Sequence, residues 1–172
     1  MGFNLYQAII PSYRQIIGSV VGLIDKAENY CEENNLPAAD IIQARLADDM
    51  FPFAFQTKSV FVHSQKAIEG VKKGVFSPDR SELPESFTDL RAQLTDAAGY
   101  LESLAEEEVN DFPGRPVRFE YGDFRMEFVA EEFLLSFSQP SFYFHAATAY
   151  DILRWKGLPI GKRDFLGKLR TV

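Results

Sequence analysis

One cysteine, Cys31, stands in a chain of 172 residues, so no disulfide can form within it, and the cross-linked framework of a small secreted protein is excluded. A reducing, cytoplasmic setting is the matching expectation. Basic charge is short as well: 18 Lys and Arg against 25 Asp and Glu leave a net charge of -7 at pH 7. Nucleic acid is not an expected partner, because its binding draws most of its affinity from clustered cations. No run approaches the ~18 uninterrupted apolar residues of a membrane span. The opening residues also lack the basic, apolar and small-residue order of a secretory leader, so no membrane partner is expected. Only two histidines occur, His63 and His145, and there is no HExxH, CxxC or GxSxG run. Gly157, Gly161 and Lys162 echo a phosphate loop, but their spacing is short and Arg163 stands where Ser or Thr is needed. Neither a covalent hydrolase nor a dinucleotide enzyme is supported.

What the chain has in quantity is rings, 16 Phe and 7 Tyr, so its core must be built around aromatic packing. The length suits one domain, 1–172, with no linker or internal repeat to divide it. Apolar residues at Ile9, Tyr13, Ile16, Val20, Ile24, Ala27 and Cys31 draw one stripe along a first helix that ends near Glu33, before Asn34, Asn35 and Pro37. Pro11 falls inside that stripe and predicts a kink or interruption near Ile9 and Ile10. Residues 38–49 predict a helix of about three turns. Asp48 or Asp49 then caps a second main helix, which runs through Phe53, Phe61 and Ile68 to Lys73 and is stopped by Gly74.

Residues 75–84 read as a loop. Phe87, Leu90, Leu94, Ala97, Leu101 and Leu104 form a regular seam on a third helix, opened by Ser86 with Asp89. Alternation then replaces the helical period, and residues 117–121 and 124–128 read as a β-hairpin around Gly122 and Asp123 whose aromatic face lies on the helices. A short helix over 130–137, broken by Pro140, precedes a last helix over 141–156. That last helix is apolar on nearly every side and is therefore expected in the interior. The fold class is mainly all-α, with a small β-hairpin before the last helices.

His145 shares a face with Phe142, Thr148, Ala149 and Ile152 and should point into the bundle, bonded to a neighbour such as a Tyr or Asp. His63, flanked by Lys58, Ser64, Gln65 and Lys66, reads as an exposed or boundary residue. Cys31 reads as a small core residue.

The run Arg45–Pro52 with Gln56, then SFYFHAATAYDILR from Ser141, then GLPIGKRDFLG from Gly157, resembles a bacterial family of unknown function grouped with the DinB/YfiT-like metalloenzymes. The resemblance covers essentially the whole chain. It implies an up-down-down-up four-helix bundle and a homodimer. In that superfamily a divalent metal is held by three histidines, one on the second helix and two spaced four apart on the last. Here Ser141 and Ala149 stand four residues either side of His145, so a three-histidine site is impossible. A metal would need His145 and His63 with a carboxylate such as Asp48 or Asp49, a mixed site suited to Zn²⁺, Ni²⁺ or Fe²⁺.

No cofactor is expected on this reading. The expected function is binding of a small apolar or aromatic ligand between helices near His145, Tyr143 and Tyr150. The alternative is a metal-assisted transferase or hydrolase using His145 with a carboxylate. Whether the protein is an enzyme is left open by its residues.

Overall fold

In the computed structural model, which describes residues 2–171, Asn4 accepts the Gln7 amide hydrogen at 2.9 Å and so starts helix α1, Leu5–Glu33. The two ends of the expected 1–172 span, Met1 and Val172, lie outside the described residues. Pro11 does not interrupt α1. It removes the donor to the carbonyl of Gln7, an exposed residue, so water can take the place of the missing bond. The buried stripe is the one its spacing predicts, from Ile9 to Cys31, and Asn35 turns the chain away with φ of 51°.

The expected three-turn helix over 38–49 shrinks to α2, Ala39–Ile42, because only Ile41 and Ile42 find a core to enter. Asp48 and Asp49 are exposed turn residues and cap nothing. Helix α3, Phe53–Phe61, starts from Pro52 with no side-chain cap. It runs without a break through a π-helical turn, Val62–Lys66, into α4, Ala67–Lys73, where Gly74 at φ of 74° ends it.

The residues after Gly74 are not all loop, since strand β1, Val75–Phe76, pairs in parallel with β2, Pro116–Tyr121. The expected hairpin is therefore two strands of a three-stranded sheet, with β3, Phe124–Val129, pairing antiparallel to β2 around Gly122 and Asp123. Val117 is buried and Phe119 and Phe128 are half-buried against the core, while Tyr121 and Phe124 at the tip are exposed.

Helix α5, Phe87–Ser103, opens as its sequence predicts, with Ser86 accepting the Asp89 amide hydrogen at 3.1 Å. The acidic cluster after it forms a short helix α6, Glu106–Asn110.

Pro140 does not break the last helical segment. Helix α7, Ala130–Glu132, passes through a second π-helical turn, Phe133–Ser138, into α8, Gln139–Trp155, with Pro140 in its first turn. A wide turn absorbs the donor that proline lacks, and the Ser136 hydroxyl, bonded to the Glu132 carbonyl at 2.5 Å, adds to the rearranged ladder. Helix α8 is also less interior than its composition suggests. Phe142, Ala146, Ala149, Ile152 and Leu153 are buried, but Phe144 is 59% exposed and Trp155 63%.

The last short helix, α9, Lys162–Leu166, docks on α1, where the Ser19 hydroxyl meets the carbonyls of Asp164 and Phe165. Helix α1 packs on α5 and α8, and α3 packs on the same two. The buried apolar residues form one continuous core among these four helices, and the fold is mainly helical with a small three-stranded sheet. No described helix is long and apolar enough to cross a membrane.

Candidate functional site

Polar side chains are concentrated in one stretch of this core. Of the eight buried polar or charged residues among those described, Gln56, Thr57, Lys58, Ser59 and Ser64 all fall on α3 and its π-helical turn. Lys58 and Ser59 line the cavity described below, while the Thr57 hydroxyl bonds back to carbonyls of its own helix. The Ser64 hydroxyl donates to the Val60 carbonyl at 2.7 Å and approaches that of Phe61 at 3.2 Å, competing for the ladder where it widens.

The two π-helical turns face each other. Ser138, in the second, donates its hydroxyl hydrogen to the backbone carbonyl of His63, in the first, at 2.9 Å. With that hydrogen committed, the long 3.5 Å contact from Ser138 Oγ to His63 Nδ1 suits an Nδ1–H on the ring. His63 is thus half-buried and turned inward, not an exposed residue, because the widened turn swings it towards α8. Its ring lies 5.7 Å from that of His145, the two planes within 14° of parallel.

His145 does face inward, but its partner is neither Tyr nor Asp. Its Nδ1 lies 2.7 Å from Oε1 of Gln56, which is only 3% exposed. The Gln56 amide donates from Nε2 to the Phe51 carbonyl at 2.9 Å. Turned over, it would set oxygen against oxygen, so Oε1 must face the imidazole, where it can only accept. His145 Nδ1 therefore carries the hydrogen and Nε2 the lone pair. Burial lowers the pKa of His145 to about 4. Burial, with His145 nearby, lowers that of His63 to about 3. Both rings are neutral near pH 7.

Both rings line a cavity of about 230 Å³, walled by Phe55, Val62, Phe76, Phe119 and Phe137, with Pro78 and Asp79 of the loop after β1 on its lining. Lys58 and Ser59 also reach it. Lys58 is 3% exposed; its ammonium donates to the Ser81 carbonyl and hydroxyl at 2.7 Å each and sits 3.3 Å from Asp79 Oδ1. Partial burial by itself would raise the Asp79 carboxyl, but bonds from Ser81 and Lys58 outweigh it and hold the group below its ordinary value.

Tyr143 and Tyr150 do not join this site. A helix advances about 100° per residue, so both point away from the His145 face. Tyr143 lies edge-on to Phe142 at 5.4 Å and Tyr150 edge-on to Phe165 at 5.9 Å. Asp48 and Asp49, on their exposed turn, do not line the cavity either.

The residues present do not fit a three-histidine metal centre. Two imidazoles supply too few of the three or four protein ligands that such sites use, and the carboxylate in the same cavity, Asp79, is engaged by Lys58 and Ser81. Among the described residues, no three His, Cys, Asp or Glu side chains come together to hold an ion.

Sequence reasoning missed Lys58, Ser59, Ser138 and the four Phe rings as members of one site. A signal existed for Lys58, which shares a helical face with Phe55 and Val62. None existed for Ser138, whose role depends on a π-helical turn.

The fold is similar to the crystal structure of a DinB family member protein from Shewanella denitrificans, with a TM-score of 0.79 and 23% identity over 98% of this chain and 94% of that one. At that identity the likeness carries the fold alone. No curated protein matches the chain. Residues 5–166 match a family described as a domain of unknown function, DUF1993, and the chain, DinB-like in fold, belongs to that family.

Proposed function

We propose that this protein binds a small single-ring aromatic or apolar molecule in the cavity between the two π-helical turns, with His145 and His63 as its polar contacts. One observation carries the reading: two imidazoles, kept neutral by burial, stand in a cavity whose other walls include four phenylalanine rings, Val62 and Pro78. Apolar walls with a few placed polar groups are the usual make-up of a ligand pocket. A cavity of roughly 150 Å³ already holds benzene. At about 230 Å³ this one suits a single ring with a short substituent.

The same reading takes the chain as one domain in a cytoplasmic homodimer. It takes the four main helices in up-down-down-up order, supported by the packing of α1 and α3 on α5 and α8 and by the DinB-like fold. Binding is tested by NMR titration of the full chain with toluene, phenol, anisole and benzoate at millimolar concentration. Saturable shifts centred on His63, His145, Phe55 and Phe137 are expected. No saturable shift with any of the four ligands would remove the reading.

A further inference from the structure

The donors and acceptors inside this cavity can be counted, and the count selects among aromatic ligands. Lys58 is the cation beside it, yet the three hydrogens of its ammonium are spent on the Ser81 carbonyl, the Ser81 hydroxyl and Asp79, with the Glu82 carbonyl also within 3.4 Å. Asp79 balances its charge and also accepts from the Ser81 amide at 2.8 Å. An incoming carboxylate would meet no free cationic donor there, and it would pay for leaving water.

The imidazoles offer the reverse. Gln56 fixes the hydrogen of His145 on Nδ1, and Ser138 favours the same tautomer in His63. Neither Nε2 has a hydrogen-bond partner among the described residues, so each keeps a lone pair for a ligand. The Ser59 hydroxyl at the same cavity can turn either way and does not discriminate.

We infer that the cavity selects a neutral aromatic hydrogen-bond donor, a phenol, over an aromatic carboxylate or an aromatic ether. This rests on the cavity reading above and narrows it. A site whose buried acceptor is poised for a hydroxyl discriminates strongly against an analogue without one, because the acceptor then stays unpaired in an apolar space.

Four compounds of nearly equal ring size separate the two readings when titrated into the full chain at pH 7.5: phenol, anisole, toluene and benzoate. Phenol should bind about tenfold or more tightly than anisole, with benzoate the weakest. His145→Phe should lower the ratio of phenol to anisole affinity, with His63 Nε2 as the acceptor that remains. Long-range ¹H–¹⁵N spectra of the unmodified protein, which need no variant, should show Nε2 of His145 unprotonated. Equal affinity for phenol and anisole, tighter binding of benzoate, or a protonated Nε2 would overturn the selection and leave the cavity reading standing. Failure of all four compounds to bind would remove both.

Discussion

His63 and His145 hold their rings 5.7 Å apart, one on a π-helical turn of the second main helical segment and one on the last helix. Because both are half-buried, neither can take up a proton at its ordinary pH. The unfolded chain can, near pH 6.5. Their folded values, about 3 and about 4, lie below that, so the unfolded state binds more protons in the interval between. The stability due to this pair is therefore complete above pH 6.5 and is lost as pH falls towards 4 for His145 and towards 3 for His63, at up to about 1.4 kcal/mol per pH unit for each ring. Urea melts at pH 7.5, 6 and 5 test this. A profile as steep in the double variant His63→Gln, His145→Gln as in the parent would show that other groups set the slope.

Lys58 joins helix α3 to the loop that lines one side of the cavity. Lys58→Ala would leave Asp79 and the Ser81 carbonyl without their partner and a gap in the helix packing. A loss of about 2–4 kcal/mol is expected, below the top of the range for buried pairs because Asp79 is partly exposed. Hydrogen exchange at residues 77–82 should accelerate more than at α5. Uniform acceleration would mean that Lys58 supports the whole fold and not this loop in particular.

Tyr13 is fully buried against Phe142, and its hydroxyl has no hydrogen-bond partner among the described residues. Burial pushes its pKa upward, and the nearby Ser138 hydroxyl spends its hydrogen on the His63 carbonyl. Removing an unsatisfied hydroxyl should not destabilise the protein, so Tyr13→Phe is expected to be neutral or to stabilise it by about 1 kcal/mol. Denaturant melts giving a loss of more than about 1 kcal/mol would mean that the hydroxyl has a partner in solution.

The proposed homodimer predicts a light-scattering mass of twice 19.5 kDa. Exposed Phe51, Phe144 and Trp155 supply apolar surface that a second copy could cover. A mass near 19.5 kDa at every dilution would refute it.

Periodicity and caps carried much of the architecture into the sequence. The stripe from Ile9 to Cys31, the seam from Phe87 to Leu101, the Ser86 cap and the stop at Gly74 are local devices, set by residues within a turn or two of one another, and they fold as read. Prolines were less legible, because the cost of a missing donor depends on its surroundings: Gln7 is exposed at one, and a π-helical turn stands beside the other. Strand β1 is two residues long and exists only because β2, some forty residues later, pairs with it.

The candidate site was half legible. His145 was placed inward by its helical face, while its partner Gln56 lies 89 positions away on another helix, and no spacing rule reaches across that gap. His63 read as an exposed or boundary residue because its neighbours in sequence are polar; it is half-buried, and the π-helical turn it sits on carries its ring to that of His145. That the two imidazoles meet in one aromatic-walled cavity was decided by tertiary packing, which alone brings α3, α8 and the sheet to the same place.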